Sequence, residues 1–449
     1  MKIYIPPASP FKKSLRNSIK EGVTAEVVIR VLDYYLIPFA LFLGAQDKYI
    51  GLLVATPNLI SSLALFSTPF VVFKLRSRLK TVTRCIGSQC LILIPFVFLP
   101  FISFPANVVI LIALVTIFRS LGTIIGPPWG SLVSDYLPVD KRGRYFGSRS
   151  QIVGLAGITT GVLAGILLSV LKQVSEQLSF IIIFLLAAVS RCGSYLLTKK
   201  MIDIDGKLIR EFSFSKSYHT FIAHFKNRNF ARFTLYVAGT TFATQMAYPF
   251  LSVWMLKGMH LNYMWYTSVH LASTIAGIIA FPAWGRHIDI LGSVSIQKRV
   301  SWFIATIPLL WIMARQFPLG LVLAEVYSGL IWAGFNLSTS NFIYNSCSSE
   351  ERVNCLIFYN FINGTAAFLG ASTGGFLLNI LPGLFHSPIL SLFVISSVLR
   401  LLADLFIARH FTEIRKDIRQ STVRELLFSM LGFNPLTGRT NEWDTETTA

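Results

Sequence analysis

Three ionisable residues, Glu26, Arg30 and Asp33, stand inside one apolar run at spacings of four and three residues. That spacing puts all three on one face of a helix. Arg119 interrupts a second apolar run, Glu325 a third, Arg191 a fourth, and Arg400 and Asp404 share a fifth at four-residue spacing. Charge in a lipid environment is costly, so such groups face a water-filled cavity or one another. The chemistry open to them is proton transfer or recognition of a polar solute. A carboxylate beside a cation stays ionised, and removing the cation or the water raises its affinity for a proton. Asp33 and Arg119 lie near the midpoints of their runs and form the first candidate pair for such a switch. The competing reading is a fixed ion-pair network that only orients helices; it weighs equally for Glu325 and is preferred for Arg191 and for Arg400 with Asp404.

Uncharged polar residues in other runs supply candidate contacts to a solute: Asn58 beside Pro57, then Thr240, Thr241, Thr244, Gln245 and His270, with Tyr34 and Tyr35 flanking the charged face of the first run. None of the hydrophilic segments contains a nucleophile–base pair, a phosphate loop or a metal cluster, so no catalytic residues, metal or cofactor are expected. The five cysteines form no CxxC pair and predict neither a disulfide framework nor a zinc site. His219 and His224 read as polar loop residues.

The elements that position these groups follow from composition. The chain has 449 residues, 53% hydrophobic and 14% charged, against about 25% charged in soluble domains. A membrane-crossing helix needs roughly 20 mostly apolar residues. Twelve runs qualify, at 23–44, 50–73, 82–101, 106–131, 150–171, 178–198, 231–257, 263–284, 300–315, 318–344, 356–380 and 386–408, the ninth being the shortest. Of the 40 Lys and Arg, 32 lie in or beside the two tails and the even-to-odd connections, and only 4 beside the odd-to-even ones. By the positive-inside rule this asymmetry puts both termini in the cytosol. The net charge of +19 therefore does not mark a nucleic-acid protein, whose basic residues would gather on one surface.

The longest internal connection, 199–230, divides the helices six and six, as in many secondary transporters. The expected organisation is a cytosolic tail at 1–22, a six-helix bundle at 23–198, a cytosolic loop at 199–230, a second bundle at 231–410, and a cytosolic tail at 411–449 that is partly an amphipathic helix. No cleavable signal peptide is expected, because the first apolar run is long enough to remain as helix 1. A faint repeat supports the division: Arg142 maps onto Arg352 at an offset of 210 residues, and Gly154, Gly157, Gly161 and Gly165 answer to Gly364, Gly370, Gly374 and Gly375. Gly122, Gly126 and Gly130 repeat every four residues in helix 4 and predict close packing against a neighbour. Beyond them, Asp135 stands near Arg142 and Arg144, and an ion pair between them would help to shut the cytosolic side. Lys141 and Arg149 read as topology signals only.

On four segments the chain resembles the major facilitator superfamily. Arg119, Gly122 and Gly126 are similar to its arginine–glycine motif in helix 4, and DYLPVDKRGRYFG resembles the basic loop that follows. Trp284 to Gly292 (WGRHIDILG) resembles the motif between helices 8 and 9 through Gly285, Asp289 and Gly292, and Gly370, Gly374 and Gly375 resemble the glycine-rich packing motif of helix 11. Two departures stand out: FKLRSRLKTVTR keeps the basic residues of the loop between helices 2 and 3 without its Gly and Asp, and helix 5 lacks the Gly-Pro pair of the antiporter signature. The resemblance implies an all-α membrane protein of twelve transmembrane helices in two six-helix halves. Helices 1, 4, 7 and 10 would line a central cavity, which places Glu26, Arg30, Asp33, Arg119 and Glu325 on cavity helices. Asp289 and Arg142 would gate the cytosolic side through contacts worth roughly 1–3 kcal/mol. The activity implied is proton-coupled secondary transport of a small solute by alternating access. The alternative is a transporter-like receptor or assembly partner that does not transport. The implied partners are a small-molecule substrate and the lipid bilayer, without nucleic acid; a monomer is the working unit, and a bacterial inner membrane is the home.

Overall fold

A computed structural model describes residues 11–138, 142–204, 228–346 and 352–413. The candidates Lys141, His219 and His224, the side chains of Arg144 and Arg352, and the tail beyond Glu413 lie outside the described residues. Among the described residues the long elements are all α-helices, in the order α1 (Lys12–Phe42), α2 (Asp47–Leu75), α3 (Arg78–Leu93), α4 (Ala106–Asp135), α5 (Arg142–Leu171), α6 (Glu176–Lys199), α7 (Arg228–Val253), α8 (Tyr263–Leu291), α9 (Ser293–Met313), α10 (Pro318–Ser346), α11 (Arg352–Leu377) and α12 (Pro388–Ile407).

Local chemistry sets several boundaries. The Ser77 hydroxyl accepts from Lys80 N–H at 2.8 Å to start α3, and Asn262 Oδ1 accepts from Trp265 N–H at 2.9 Å to start α8, each satisfying one otherwise unpaired N-terminal donor. Gly292 ends α8 at φ 81°, and α9 begins on the next residue. This left-handed turn, cheap only for glycine, is why α9 starts seven residues before the apolar run at 300–315 and is less short than expected. α1 starts at Lys12, inside the expected tail, and α5 starts at Arg142, ahead of the run at 150–171. Cys355, near the start of α11, is disulfide-bonded, where the spacing of the cysteines predicts no disulfide framework.

Among the described residues, nine helical stretches are long and apolar enough to cross a membrane. The long helices outside that set are α1, α7 and α9. α1 carries Glu26, Arg30 and Asp33, and α7 carries Thr234, Thr240, Thr241, Thr244 and Gln245. Large apolar side chains such as Leu163, Ile279 and Phe376 are more than 60% exposed, which suits a surface in contact with lipid rather than water.

Packing repeats along the chain. α1 packs on α5 and α6, α2 on α4, and α3 on α4 and α6; in the last six helices α7 packs on α11 and α12, α8 on α10, and α9 on α10 and α12. Each of these contacts of the first set thus has its counterpart six helices later. The main contacts between the sets, α2 against α11 and α5 against α8, are also counterparts of one another. Both run through small residues. A Cβ on Gly51 would lie 2.6 Å from the Ala371 carbonyl oxygen, and one on Gly165 would lie 2.6 Å from Thr267 Oγ1.

Candidate functional site

A cavity runs between the two sets of helices. Its closed end holds about 370 Å³ and includes Asp33, Tyr34, Asn58, Arg119, Gln245 and His270 in its lining. Asn58 and Gln245 also border a wider compartment of about 820 Å³, and Asn58 and Arg119 border a third of about 540 Å³. The wider compartments reach Pro69, Ser131 and Leu356, near the end where α2 and α4 finish and α11 begins.

Hydroxyls and rings seal the closed end across the two sets. Tyr35 OH donates to the Gly161 carbonyl at 3.1 Å and lies 2.7 Å from the Thr267 hydroxyl. Tyr266 OH donates to the Tyr34 carbonyl at 2.7 Å, and the Tyr34 and Thr274 hydroxyls are 3.0 Å apart. The Tyr34 and His270 rings stack at 5.7 Å. Polar groups therefore join α1 and α5 to α8 without a buried charge, an arrangement that can open at modest cost, since a neutral hydrogen bond contributes about 0.5–1.5 kcal/mol net.

Two ion pairs start from α1, whose Arg30 and Asp33 line the cavity while Glu26, buried, does not. Arg30 Nε lies 2.6 Å from Glu26 Oε1, one turn away, and Arg119 Nη2 reaches across from α4 to Asp33 Oδ1 at 2.9 Å. The Asp33 and Arg119 side chains are 35% and 41% exposed. Wet charges at this distance attract one another without being locked.

The sequence profile of the Major Facilitator Superfamily matches residues 27–371. The chain belongs to the Major Facilitator Superfamily. It is thus a multi-pass membrane protein of a transporter family. No curated protein matches the chain by sequence. Solved structures share the fold. The nucleoside transporter NupG has a TM-score of 0.65 at 16% identity, covering 89% of this chain and 98% of that one. A bacterial homologue of the iron transporter ferroportin, in an inward-facing state, scores 0.67 at 11% identity, covering 88% and 98%. A bacterial homologue of the human lysosomal transporter Spinster, inward-facing and occupied, scores 0.60 at 15% identity, covering 92% and 100%.

Within this major facilitator fold the sequence candidates divide. Asp33 and Arg119 meet as paired above, and Arg30, Tyr34, Asn58, Gln245 and His270 join them on the wall of the closed end. Glu325 does not: it is 1% exposed, accepts from Trp311 Nε1 at 2.9 Å and from Ser273, and so lies behind the wall that Ser273 forms. Membership of helix 10 did not settle which face carried it. Thr241 replaces Thr244 on the wall, where its hydroxyl donates to Asn363 Oδ1 at 3.1 Å; Thr244 Oγ1 is shielded from solvent without a hydrogen-bond partner among the described residues.

The expected partners of Asp135 also change. Its carboxylate pairs with Arg78 of α3 at 2.7 Å, while Arg142 Nε donates to the Ser134 carbonyl at 3.1 Å. Arg142 is helical and held to backbone, so the nearer cation on α3 takes the acid. Asp289 is exposed and has no ion pair among the described residues; Gly292 acts as the turn after α8, and nothing crowds Gly285 closer than Leu337 at 3.9 Å. The glycine row of α4 does not pack as expected: no atom comes within 4 Å of a Cβ built on Gly126 or Gly130, and Gln89 Nε2 at 3.4 Å is the nearest to Gly122. Those glycines border the wide compartments instead. Arg400 and Asp404 do not pair with each other either: Asp404 accepts from Ser301 at 2.6 Å and Tyr236 at 3.3 Å, and Arg400 Nη1 donates to the Ile304 carbonyl at 3.0 Å.

A polar cluster missed in the sequence borders the third compartment. Glu21 of α1 lies 3.4 Å from Arg149 of α5, whose guanidinium sits 4.2 Å over the Trp129 ring. Ser194 of α6 donates to Glu21 at 3.1 Å and accepts from Arg191 at 3.2 Å, and Arg191 Nε donates to Gln89 of α3 at 3.0 Å. Reading Glu21 as tail and Arg149 as a topology signal hid a cluster whose members come from four helices.

Proposed function

We propose that the protein is a secondary active carrier that moves a small solute across the membrane by alternating access, with proton coupling centred on Asp33 and Arg119. The observation that carries this reading is the wet Asp33–Arg119 pair in the wall of a cavity closed at one end by contacts between two packing-related sets of helices. In this reading all twelve long helices cross the membrane and both termini are cytosolic, as the distribution of Lys and Arg requires. The open end of the cavity then faces the cytosol. Opening the other end separates the hydroxyl contacts of Tyr34, Tyr35 and Tyr266, and closing the cytosolic end brings Gly126, Gly130 and Asp289 toward new neighbours, with Asp135 and Arg142 in the adjoining gate.

Coupling follows from the pair itself. A proton and a guanidinium compete for the same carboxylate oxygens, so a movement of α4 relative to α1 that lengthens the contact is linked to the proton. Glu325 is one layer behind the wall and would relay a change through Ser273 rather than touch the solute. The working unit is a monomer in a bacterial inner membrane.

A test needs no knowledge of the cargo. In a cysteine-free background, Ser131→Cys, in the wall of the wide compartment, is labelled from the cytosolic face with an impermeant maleimide at a series of pH values, after correction for the reagent's own pH dependence. The labelling rate should change with pH when Asp33 is present and lose that dependence in Asp33→Asn. A rate independent of pH with Asp33 in place would sink the coupling role. A non-transporting receptor would show one fixed rate in both proteins.

A further inference from the structure

The third compartment, of about 540 Å³, carries more positive charge than negative: Arg119, Arg149 and Arg191 border it with Glu21 as the one acid. Over the whole cavity wall contributed by the first six helices, the acids are Glu21 and Asp33 and the cations Arg30, Arg119, Arg149 and Arg191, with Glu26 pairing Arg30 from behind the lining. Three of these cations have carboxylate partners, whereas Arg191 is bonded to the neutral Gln89 and Ser194. The described wall across the cavity supplies no Asp, Glu, Lys or Arg; it offers the amides of Gln245, Asn360 and Asn363 with apolar Leu356 and Ile357. A surplus cation in a low-dielectric cleft concentrates anions there, and guanidinium groups bind carboxylate and phosphate oxygens by charge-assisted hydrogen bonds.

We propose that the solute is an amphipathic organic oxyanion, drawn in by the Arg149–Arg191 cluster and seated with its apolar body against α11. This rests on the carrier reading and deepens it, by naming the class of cargo. Arg149 and Arg191 then guide the anion toward Arg119, which exchanges part of its contact with Asp33 for the incoming oxygens. Glu21 keeps the two arginines from binding the solute so tightly that it cannot leave.

The experiment uses four probes of one shape: 2-naphthoate, 2-naphthyl phosphate, 2-naphthamide and the 2-naphthamidinium cation. Thermal unfolding of the purified full chain is followed at one concentration of each, since a bound ligand raises Tm by mass action. The expected order is an anion first, the amide second and the amidinium last, with naphthoate ahead of naphthyl phosphate for a carboxylate cargo and the reverse for a phosphate cargo. Arg191→Gln should lower the apparent affinity for the anions by about tenfold or more, the scale of one lost hydrogen bond to a charge, and leave that for the amide unchanged. Arg149→Gln reads the same quantity if Arg191→Gln does not fold. Equal shifts from all four probes, a larger shift from the amide or amidinium, or no shift from any of them overturns the assignment. The carrier reading fails separately, on the pH response of labelling at Ser131→Cys.

Discussion

The two sets of six helices pack alike but place their charges differently. In the first set Asp33, Arg119 and Arg30 face the cavity and are partly exposed. In the second, Glu325, Arg400 and Asp404 are 1%, 2% and 6% exposed and lie between helices. α6 and α12 hold counterpart places, and each carries one buried arginine. Arg191 donates to Gln89 and borders the cavity. Arg400 has one carbonyl partner, with its Nε and Nη2 shielded and without hydrogen bonds. Gln297 of α9 bonds Ser338 and Thr339 of α10 instead of Arg400. One packing scheme thus supports a wet wall, able to exchange partners, and a dry one that holds its shape.

If that division is right, the largest loss of stability comes from the dry set. Asp404→Ala leaves the Ser301 and Tyr236 hydroxyls without their acceptor in a buried place, a loss of about 2–4 kcal/mol on the scale of buried polar groups. Thermal unfolding should report it as a clear fall in Tm, and the pH response of labelling at Ser131→Cys should survive. An undiminished Tm would place Asp404 among the wet charges and break the comparison.

Next in size is the seam between the sets. Gly51→Ala puts a methyl against the Ala371 carbonyl oxygen, backbone that cannot rotate away. Overpacking of this kind costs about 1–3 kcal/mol. Because the clash sits at the closed end, part of the strain is relieved by opening that end. The variant should therefore unfold at lower temperature and label more slowly at Ser131→Cys.

Asp33→Asn inverts that pattern. An exposed ion pair contributes about 0–1 kcal/mol, so unfolding should barely move while the pH response of labelling disappears. A fall in Tm as large as that of Asp404→Ala would make the Asp33–Arg119 pair a fixed strut, which is the competing reading of these residues.

How much of this could be read beforehand follows the same wet and dry division. The long helices were legible because a lipid-facing helix must be apolar for most of its length, and Asp33 and Arg119 were legible as a pair because charges inside apolar runs are few. Glu325 was legible as an unusual residue but not in its place, since the sequence of α10 does not say that Trp311 and Ser273 close over it. Glu21 and Arg149 stand just before the apolar runs of their helices, where a solvated charge and an inward-turned one have the same sequence context. The asymmetry between Arg191 and Arg400 depends on which neighbours Gln89 and Gln297 choose, a matter of contacts between helices distant in the chain.

The glycine rows give the smallest predicted effect and the finest test. Gly126 and Gly51 both lie within long helices, and four-residue spacing of small residues marks a packing face without saying when it is packed. Here the face at Gly51 is occupied and the face at Gly126 is open. Gly126→Ala should therefore be neutral or stabilising by up to about 1 kcal/mol, from the better helix propensity of alanine, where Gly51→Ala is destabilising. If the cytosolic end closes onto α4 during a transport cycle, the added methyl at position 126 hinders the closed state. The variant should then hold the cavity open to the cytosol: a cysteine placed at Ser131 would label faster in Gly126→Ala than in its absence. Equal labelling would mean that α4 keeps its open face throughout, and that the glycine row serves only to widen the cavity.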